Sequence, residues 1–201
     1  MKPPEKLDQS DPLMTGPIIE SLNSHLNIVE PYDALIVSDG SGTGHGNACG
    51  WCAVLIDAES RLRKIVKGAS SDGTCYLAEL LPYVNMLAWY TNGPGKALLT
   101  KKRQLFLNAK LVIHAVTDNQ TIARQGRGEI GRKTGRAYWA MLEAFEDDLD
   151  VRWHWIDRAQ VGLNCLCDFL AGECRKAIKA VDGCQLPSGL TAYDYNPEKP
   201  R

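Results

Sequence analysis

Hydrophobic positions along this chain follow two rhythms, and the order in which they alternate predicts the elements. Residues 34–38 (ALIVS) and 50–56 (GWCAVLI) are short apolar runs separated by a glycine-rich turn, and LRKIVKG from Leu62 alternates apolar with basic side chains. Together they predict three consecutive antiparallel strands. Leu77, Leu80, Leu81, Val84 and Leu87 then recur at helical spacing behind a cap at Thr74, with Pro82 expected to kink the helix by deleting one backbone bond. LVIHAVTD from Leu111 predicts a fourth strand, Asn119 to Arg124 a short helix, Ala137 to Phe145 a second, VRWHWI from Val151 a fifth strand, and Leu163 to Ala180 a last helix. Three strands, helix, strand, helices, strand, helix is the order of an α/β domain in which a mixed sheet is covered by helices.

Segments outside this pattern divide the chain. Residues 1–32 are proline-rich and polar except for Ile18, Ile19, Leu22 and Leu26, whose spacing makes one apolar stripe on a short helix. Residues 33–180 form the predicted domain, interrupted at 92–110 by a segment in which KKRQLFL can build a basic amphipathic surface. Residues 181–201 read as an exposed extended tail. The N-terminal stripe is of a kind that usually packs on its own domain, with docking to a protein partner the lesser alternative, and the 92–110 insertion could extend a nucleic-acid surface or bind another protein.

Composition narrows the class. With 201 residues, 44% of them hydrophobic and 23% charged, the chain can bury one sizeable core. Apolar runs such as ALIV and LVIHAV fall well short of the roughly twenty residues of a membrane span, and the N-terminus lacks an apolar signal core. The expectation is a protein of the cytoplasm or nucleoid, neither membrane-bound nor secreted. Seven cysteines, an odd number scattered along the chain, suit a reducing compartment.

The net charge of -1 conceals an asymmetry. Between Asn92 and Arg136, Lys96, Lys101, Lys102, Arg103, Lys110, Arg124, Arg127, Arg132, Lys133 and Arg136 face only Asp118 and Glu129. Such a local excess attracts a phosphate backbone.

Four carboxylates stand where chemistry would need them. Asp39 closes the first strand, Asp118 closes the fourth, Glu79 lies in the first turns of the first domain helix, and Asp168 lies in the last helix. If the first and fourth strands are parallel neighbours, their ends bring two carboxylates together and the helices supply the others. Like charges held that close repel, and hard oxygen ligands of this kind suit Mg2+ or Mn2+. Two such ions about 4 Å apart form the clamp used for in-line attack on phosphodiesters. Taken alone, Asp118 ahead of a helix reads as an N-cap instead.

Asp39 in SDGSG, Glu79 in LAEL, Asp118 in TDNQ and Asp168 in NCLCDFLA resemble, in order and context, the Asp-Glu-Asp-Asp motif of type 1 ribonucleases H. Thr74 ahead of the glutamate, Asn164 four residues before the last aspartate, Trp139 on a helix and Trp155-Ile156 on a strand extend the likeness over roughly residues 33–175. The resemblance implies an RNase H-like five-stranded mixed sheet. It also implies a metal-dependent endonuclease that uses two Mg2+ ions, or Mn2+, to hydrolyse the RNA strand of RNA–DNA hybrids, leaving 5′ phosphates and 3′ hydroxyls. Asp39 would be shared by both ions, Glu79 and Asp118 would complete one site, and Asp118 or Asp168 the other. Gly40, Ser41 and Gly42 would allow close approach of the RNA strand, Thr74, Cys75, Tyr76 and Gln120 would contact the nucleic acid, and Arg124, Arg127, Arg132, Lys133 and Arg136 would hold phosphates of the DNA strand. Asn164 would orient Asp168 or the attacking water.

The chain departs from that pattern in two ways. Cys75 and Tyr76 stand where many members carry asparagines that read ribose and base, which implies looser discrimination of RNA from DNA. The loop DRAQVGL has no histidine, and Arg158 or Gln160 occupies its neighbourhood, which implies slower turnover. The alternative is a nucleic-acid-binding or assembly module on the same fold with vestigial catalysis. The weaker motifs imply less. Cys49 and Cys52 have C-x-x-C spacing, but strand positions three apart face opposite sides, and His45 and His154 read as ordinary packed or surface residues.

Overall fold

The computed structural model describes residues 15–44, 47–58, 63–93, 95–97, 110–157 and 162–180. Its elements are α1 (Thr15–Leu26), β1 (Ala34–Ser41), β2 (Asn47–Asp57), β3 (Arg63–Gly73), α2 (Cys75–Thr91), β4 (Leu111–Thr117), α3 (Gln120–Gly126), α4 (Arg136–Glu143), β5 (Leu149–Trp155) and α5 (Gly162–Ala180). The five strands form one sheet in the order β3-β2-β1-β4-β5. β1 pairs antiparallel with β2 and parallel with β4, while β5 runs parallel to β4. The strand and helix order matches the periodicities. Arg158, Gln160, His45, the tail after 180 and positions 98–109 of the insertion lie outside the described residues, as do the side chains of Ile18 and Ile19.

Each sheet face buries its own core because strand side chains alternate. On one face Ala34, Ile36, Ala53, Leu55, Ile113 and Ala115 pack against Leu80, Tyr83, Leu87 and Tyr90 of α2 and Trp139 of α4. On the other, Leu35, Val37, Cys52, Val54 and Val116 meet Leu163, Cys167 and Ala171 of α5. Leu22 of α1 is fully buried in this second cluster and Leu26 is half-buried against it, so these two members of the N-terminal stripe serve their own domain.

One local expectation differs from the structure. Asp39 does not end β1: the strand continues to Ser41, and Asp39 pairs in register with Cys52. Pro82 lies inside α2, which is helical from Cys75 to Thr91. Proline removes the donor that the Ala78 carbonyl would otherwise receive. Against this same stretch Gly40 packs so tightly that a Cβ on it would lie 2.5 Å from Ala78 C and 2.6 Å from Glu79 N. A glycine is therefore required at position 40 for β1 and α2 to approach, and the approach is what brings Glu79 to Asp39.

Candidate metal centre

The site assembles at the ends of the two central parallel strands. β1 and β4 are in register from Ala34 and Ile113 to Ser38 and Thr117, so the next residues, Asp39 and Asp118, emerge side by side. By period-two alternation Asp39 shares the face of Leu35 and Val37, beneath α5. Glu79 enters from the first turns of α2, whose start is fixed by the Thr74 hydroxyl accepting from Leu77 N at 3.0 Å. Asp39 is fully buried, Glu79 is 6% exposed and Asp118 is half-buried, yet one ligand oxygen from each lies within 4.8 Å of the others. Three carboxylates in a space that small form a concentrated negative site whose repulsion a divalent cation would relieve.

Asp118 is not the cap of the following helix. Asn119 is: its Oδ1 accepts from Thr121 N and Ile122 N at 3.1 and 3.2 Å. Asp118 is instead held through its backbone, whose carbonyl accepts from Trp155 Nε1 at 3.0 Å. Thr117 is paired with Trp155 across β4 and β5, which sets the indole beside that carbonyl.

Asn164, on the first turn of α5, is fully buried and points into the nest. Its Nδ2 donates to Asp39 Oδ2 at 3.1 Å and lies 3.4 Å from Asp118 Oδ2. Asp39 Oδ1 accepts from Gly40 N at 2.7 Å. The structure thus places Asn164 against Asp39 and Asp118, where sequence reasoning assigned it to Asp168 or to water. Asp168, one helical turn further along α5, is half-buried and does not join the group whose ligand oxygens all fall within 4.8 Å.

The surrounding positions fall into two sets. One set is committed to internal bonds. Thr74 caps α2, and Tyr76 donates its hydroxyl to Gln125 Oε1 and accepts from Trp139 Nε1, each at 2.7 Å. Arg124 and Arg127 both engage Glu129, and Arg132 contacts Glu143 and the Gln125 carbonyl while its guanidinium lies 4.4 Å from the Trp139 ring centroid. The Arg124 to Arg136 loop is in this way braced against its own domain. The other set faces outward: Gln120, Lys133 and Arg136 are exposed and make no ion pair or side-chain hydrogen bond among the described residues, and the Cys75 thiol is exposed at the start of α2. Gly42 packs against Cys75, with a hypothetical Cβ 2.9 Å from its Cα, and Ser41 beside it is half-buried.

The cysteine motif forms no cation site among the described residues. Cys49 and Cys52 are both buried; Cys167 donates to the Val37 carbonyl at 3.4 Å and has its thiol pushed well up by contact with Cys52 and by burial. The contact sequence reasoning missed is Trp155. Its position two residues beyond the buried Trp153, at the end of a strand, was the available signal.

No family model matches this chain, and no curated protein does. Solved structures match in shape. The N-terminal RNase H domain of a Mycobacterium tuberculosis protein, solved as a fusion with maltose-binding protein, superposes with a TM-score of 0.55 at 18% identity, over 75% of this chain and 98% of that one. LC11-RNase H1 in complex with an RNA/DNA hybrid gives 0.53 at 18% identity, over 73% and 98%. RNase H1 from the halophilic archaeon Halobacterium salinarum gives 0.51 at 17%, over 70% and 96%. These likenesses, together with the β3-β2-β1-β4-β5 sheet, show that the chain has the ribonuclease H-like fold.

Proposed function

We propose that this chain is a metal-dependent endonuclease that hydrolyses the RNA strand of RNA–DNA hybrids. The observation that carries the reading is the nest of Asp39, Glu79 and Asp118, with ligand oxygens within 4.8 Å of one another at the ends of β1 and β4. The hybrid-bound LC11-RNase H1, which shares the fold, supports the choice of substrate.

Asp39, Glu79 and Asp118, with Asp168 as fourth ligand, would hold Mg2+ ions, for which Mn2+ would substitute; carboxylate oxygens are the donor set hard cations take. Such ions, when bound, lower the pKa of water and neutralise charge building on the phosphate and on the leaving 3′ oxygen. The chain's own residues supply order. The Gly40 N–H and the Asn164 amide each donate to Asp39, fixing its two oxygens before substrate arrives. The Trp155 indole holds the Asp118 backbone. Gly40, Ser41 and Gly42 would run beside the RNA strand, with Cys75 and Gln120 on its flanks, and Lys133 and Arg136 would offer cations to the phosphates of the other strand.

The test is incubation of labelled hybrid, duplex DNA and single-stranded RNA with Mg2+, using Asp118→Asn as control. Hybrid cleavage to 5′-phosphate ends, reduced about a thousandfold in the variant, is the expected outcome, since several kcal/mol of charge stabilisation would go with the ligand. A second reading, a binding module on the same fold, is favoured by Asp168 standing outside the nest and by the internal engagement of Thr74 and Tyr76. Binding of the hybrid without cleavage would decide for it.

A further inference from the structure

We propose that the cleft between the end of α1 and the C-terminal end of β5 is a binding site for an unpaired nucleobase of the strand that passes the carboxylate nest. The proposal rests on the nuclease reading for where that strand lies. The cleft has a volume of about 470 Å³ and is lined by His25, Leu26, Arg127, His154, Trp155 and Asp157 among others. That is within the usual range for small-molecule sites, roughly 300–1,000 Å³, and ample for one base.

Three observations choose the occupant. First, Trp155 is 45% exposed, one of two large hydrophobic side chains left open among the described residues, yet it is not loose. Its Nε1 is pinned to the Asp118 carbonyl at 3.0 Å, so the ring is oriented and directly joined to a residue of the nest. An oriented, open indole is a stacking platform, and stacking tolerates any base. Second, the polar groups around it are of both signs. Arg127, already engaged by Glu129 and the Trp153 carbonyl, lines the cleft with the exposed Asp157, with His25, and with His154, whose Nε2 faces His114, so groups of both signs stand around the indole. A phosphate would be repelled by Asp157, whereas a flat neutral ring with amino and carbonyl edges uses both kinds of group. Third, β5 is the outer strand of the sheet, but its edge is not open to an added peptide strand there. Arg127 Nη1 donates to the Trp153 carbonyl, and Gly126 lies so close to the Trp153 indole that a Cβ on it would be 2.2 Å from the ring. At Trp153 the strand carbonyl is taken by Arg127 and the indole is packed against Gly126, while the Trp155 ring beyond remains accessible.

The experiment is fluorescence anisotropy of a labelled oligothymidylate of about ten nucleotides, in chelator and without added metal, against the full chain and its Trp155→Ala, Trp155→Phe and Arg127→Gln variants. Melting curves confirm that each is folded. Trp155→Ala is expected to weaken binding about 5- to 150-fold, the equivalent of 1–3 kcal/mol for loss of one base stack, and Trp155→Phe to keep most of the affinity because a ring face remains. Arg127→Gln should weaken it by less than Trp155→Ala. Equal affinity for the full chain and Trp155→Ala overturns the proposal, and is the result expected if the cleft takes a peptide instead. Since no metal is present, the outcome is separable from cleavage. Oligonucleotide binding that depends on Trp155 in a protein that leaves hybrids intact would defeat the nuclease reading alone. Hybrid cleavage with affinity indifferent to Trp155 would defeat the base site alone.

Discussion

Strand β4 carries a buried histidine at its middle and a carboxylate just past its end, and the two places handle buried polarity in opposite ways. His114 is 3% exposed, and its Nδ1 lies 2.6 Å from His154 Nε2 on β5, with the Tyr32 ring packed edge-on. One neutral ring can donate to the other across this contact, while the buried Nε2 of His114 has no hydrogen-bond partner among the described residues. Burial, followed by the charges of His154 and Arg152, pushes His114 down to about 4, although Asp150 and Glu30 pull the other way, and burial likewise lowers His154. Four residues further on, Asp118 faces Asp39 and Glu79. Here three acidic side chains of one kind are brought together, and the Asn164 amide that touches Asp39 and Asp118 is a dipole without net charge. Two neutral rings that share one hydrogen bond need no counter-ion; a set of carboxylates held together by the fold is a place prepared for something of opposite sign.

The sharpest way to break this contrast is to change one carboxylate. Glu79→Gln should abolish hybrid cleavage by about a thousandfold while leaving the metal-free protein as stable as before or more so, because one repulsive charge is gone. Loss of activity together with loss of fold would mean that Glu79 is a structural residue like His114.

The histidine pair makes the complementary prediction. With the folded value lowered from 6.5 to about 4, the unfolded chain takes up a proton first as pH falls. Stability is therefore full above about pH 6.5 and declines down to about pH 4, by roughly 3 kcal/mol for His114. Urea unfolding at successive pH values reads this directly, and His114→Gln should flatten the slope. A stability profile level between pH 6.5 and 4 would contradict a buried, neutral pair.

Gly40 tests how the nest is held together. Gly40→Ala would place a methyl group against Ala78 and Glu79, costing about 1–3 kcal/mol as overpacked sites do, and it should displace Glu79. Cleavage should fall by more than the loss of folded protein explains, with the same assay on Gly172→Ala as control, since a Cβ there meets nothing within 4 Å. The smallest effect belongs to Thr74→Ala: removal of the α2 cap should lower stability by about 1 kcal/mol, seen as a shift of the urea midpoint, with most activity retained.

The contrast also marks how far the chain could be read without coordinates. Strand and helix order was legible because burial on a sheet or helix face writes its period into neighbouring residues. Asp39 and Asp118 could be placed at adjacent strand ends because parallel pairing of β1 and β4 needs only the order of elements. What periodicity cannot carry is a contact between side chains distant in sequence. That is why the Asn164 contacts to Asp39 and Asp118, the Trp155 bond to the Asp118 carbonyl, and the engagement of the arginines of 124–132 with Glu129, Glu143 and Trp139 emerge only in the structure. Asp118 passed for a cap because both it and Asn119 are capping residue types, and only the hydrogen bonds to Thr121 and Ile122 separate them.

The most direct measurement is thermal unfolding with increasing Mg2+, made on the wild-type chain and on Asp39→Asn. At ten times its dissociation constant a bound ion adds about 1.4 kcal/mol, or roughly 3–6 °C for a chain of this size. The wild type should show that rise and Asp39→Asn should lose it. Melting temperatures that move equally in both proteins, or in neither, would contradict a cation-requiring nest at Asp39, Glu79 and Asp118.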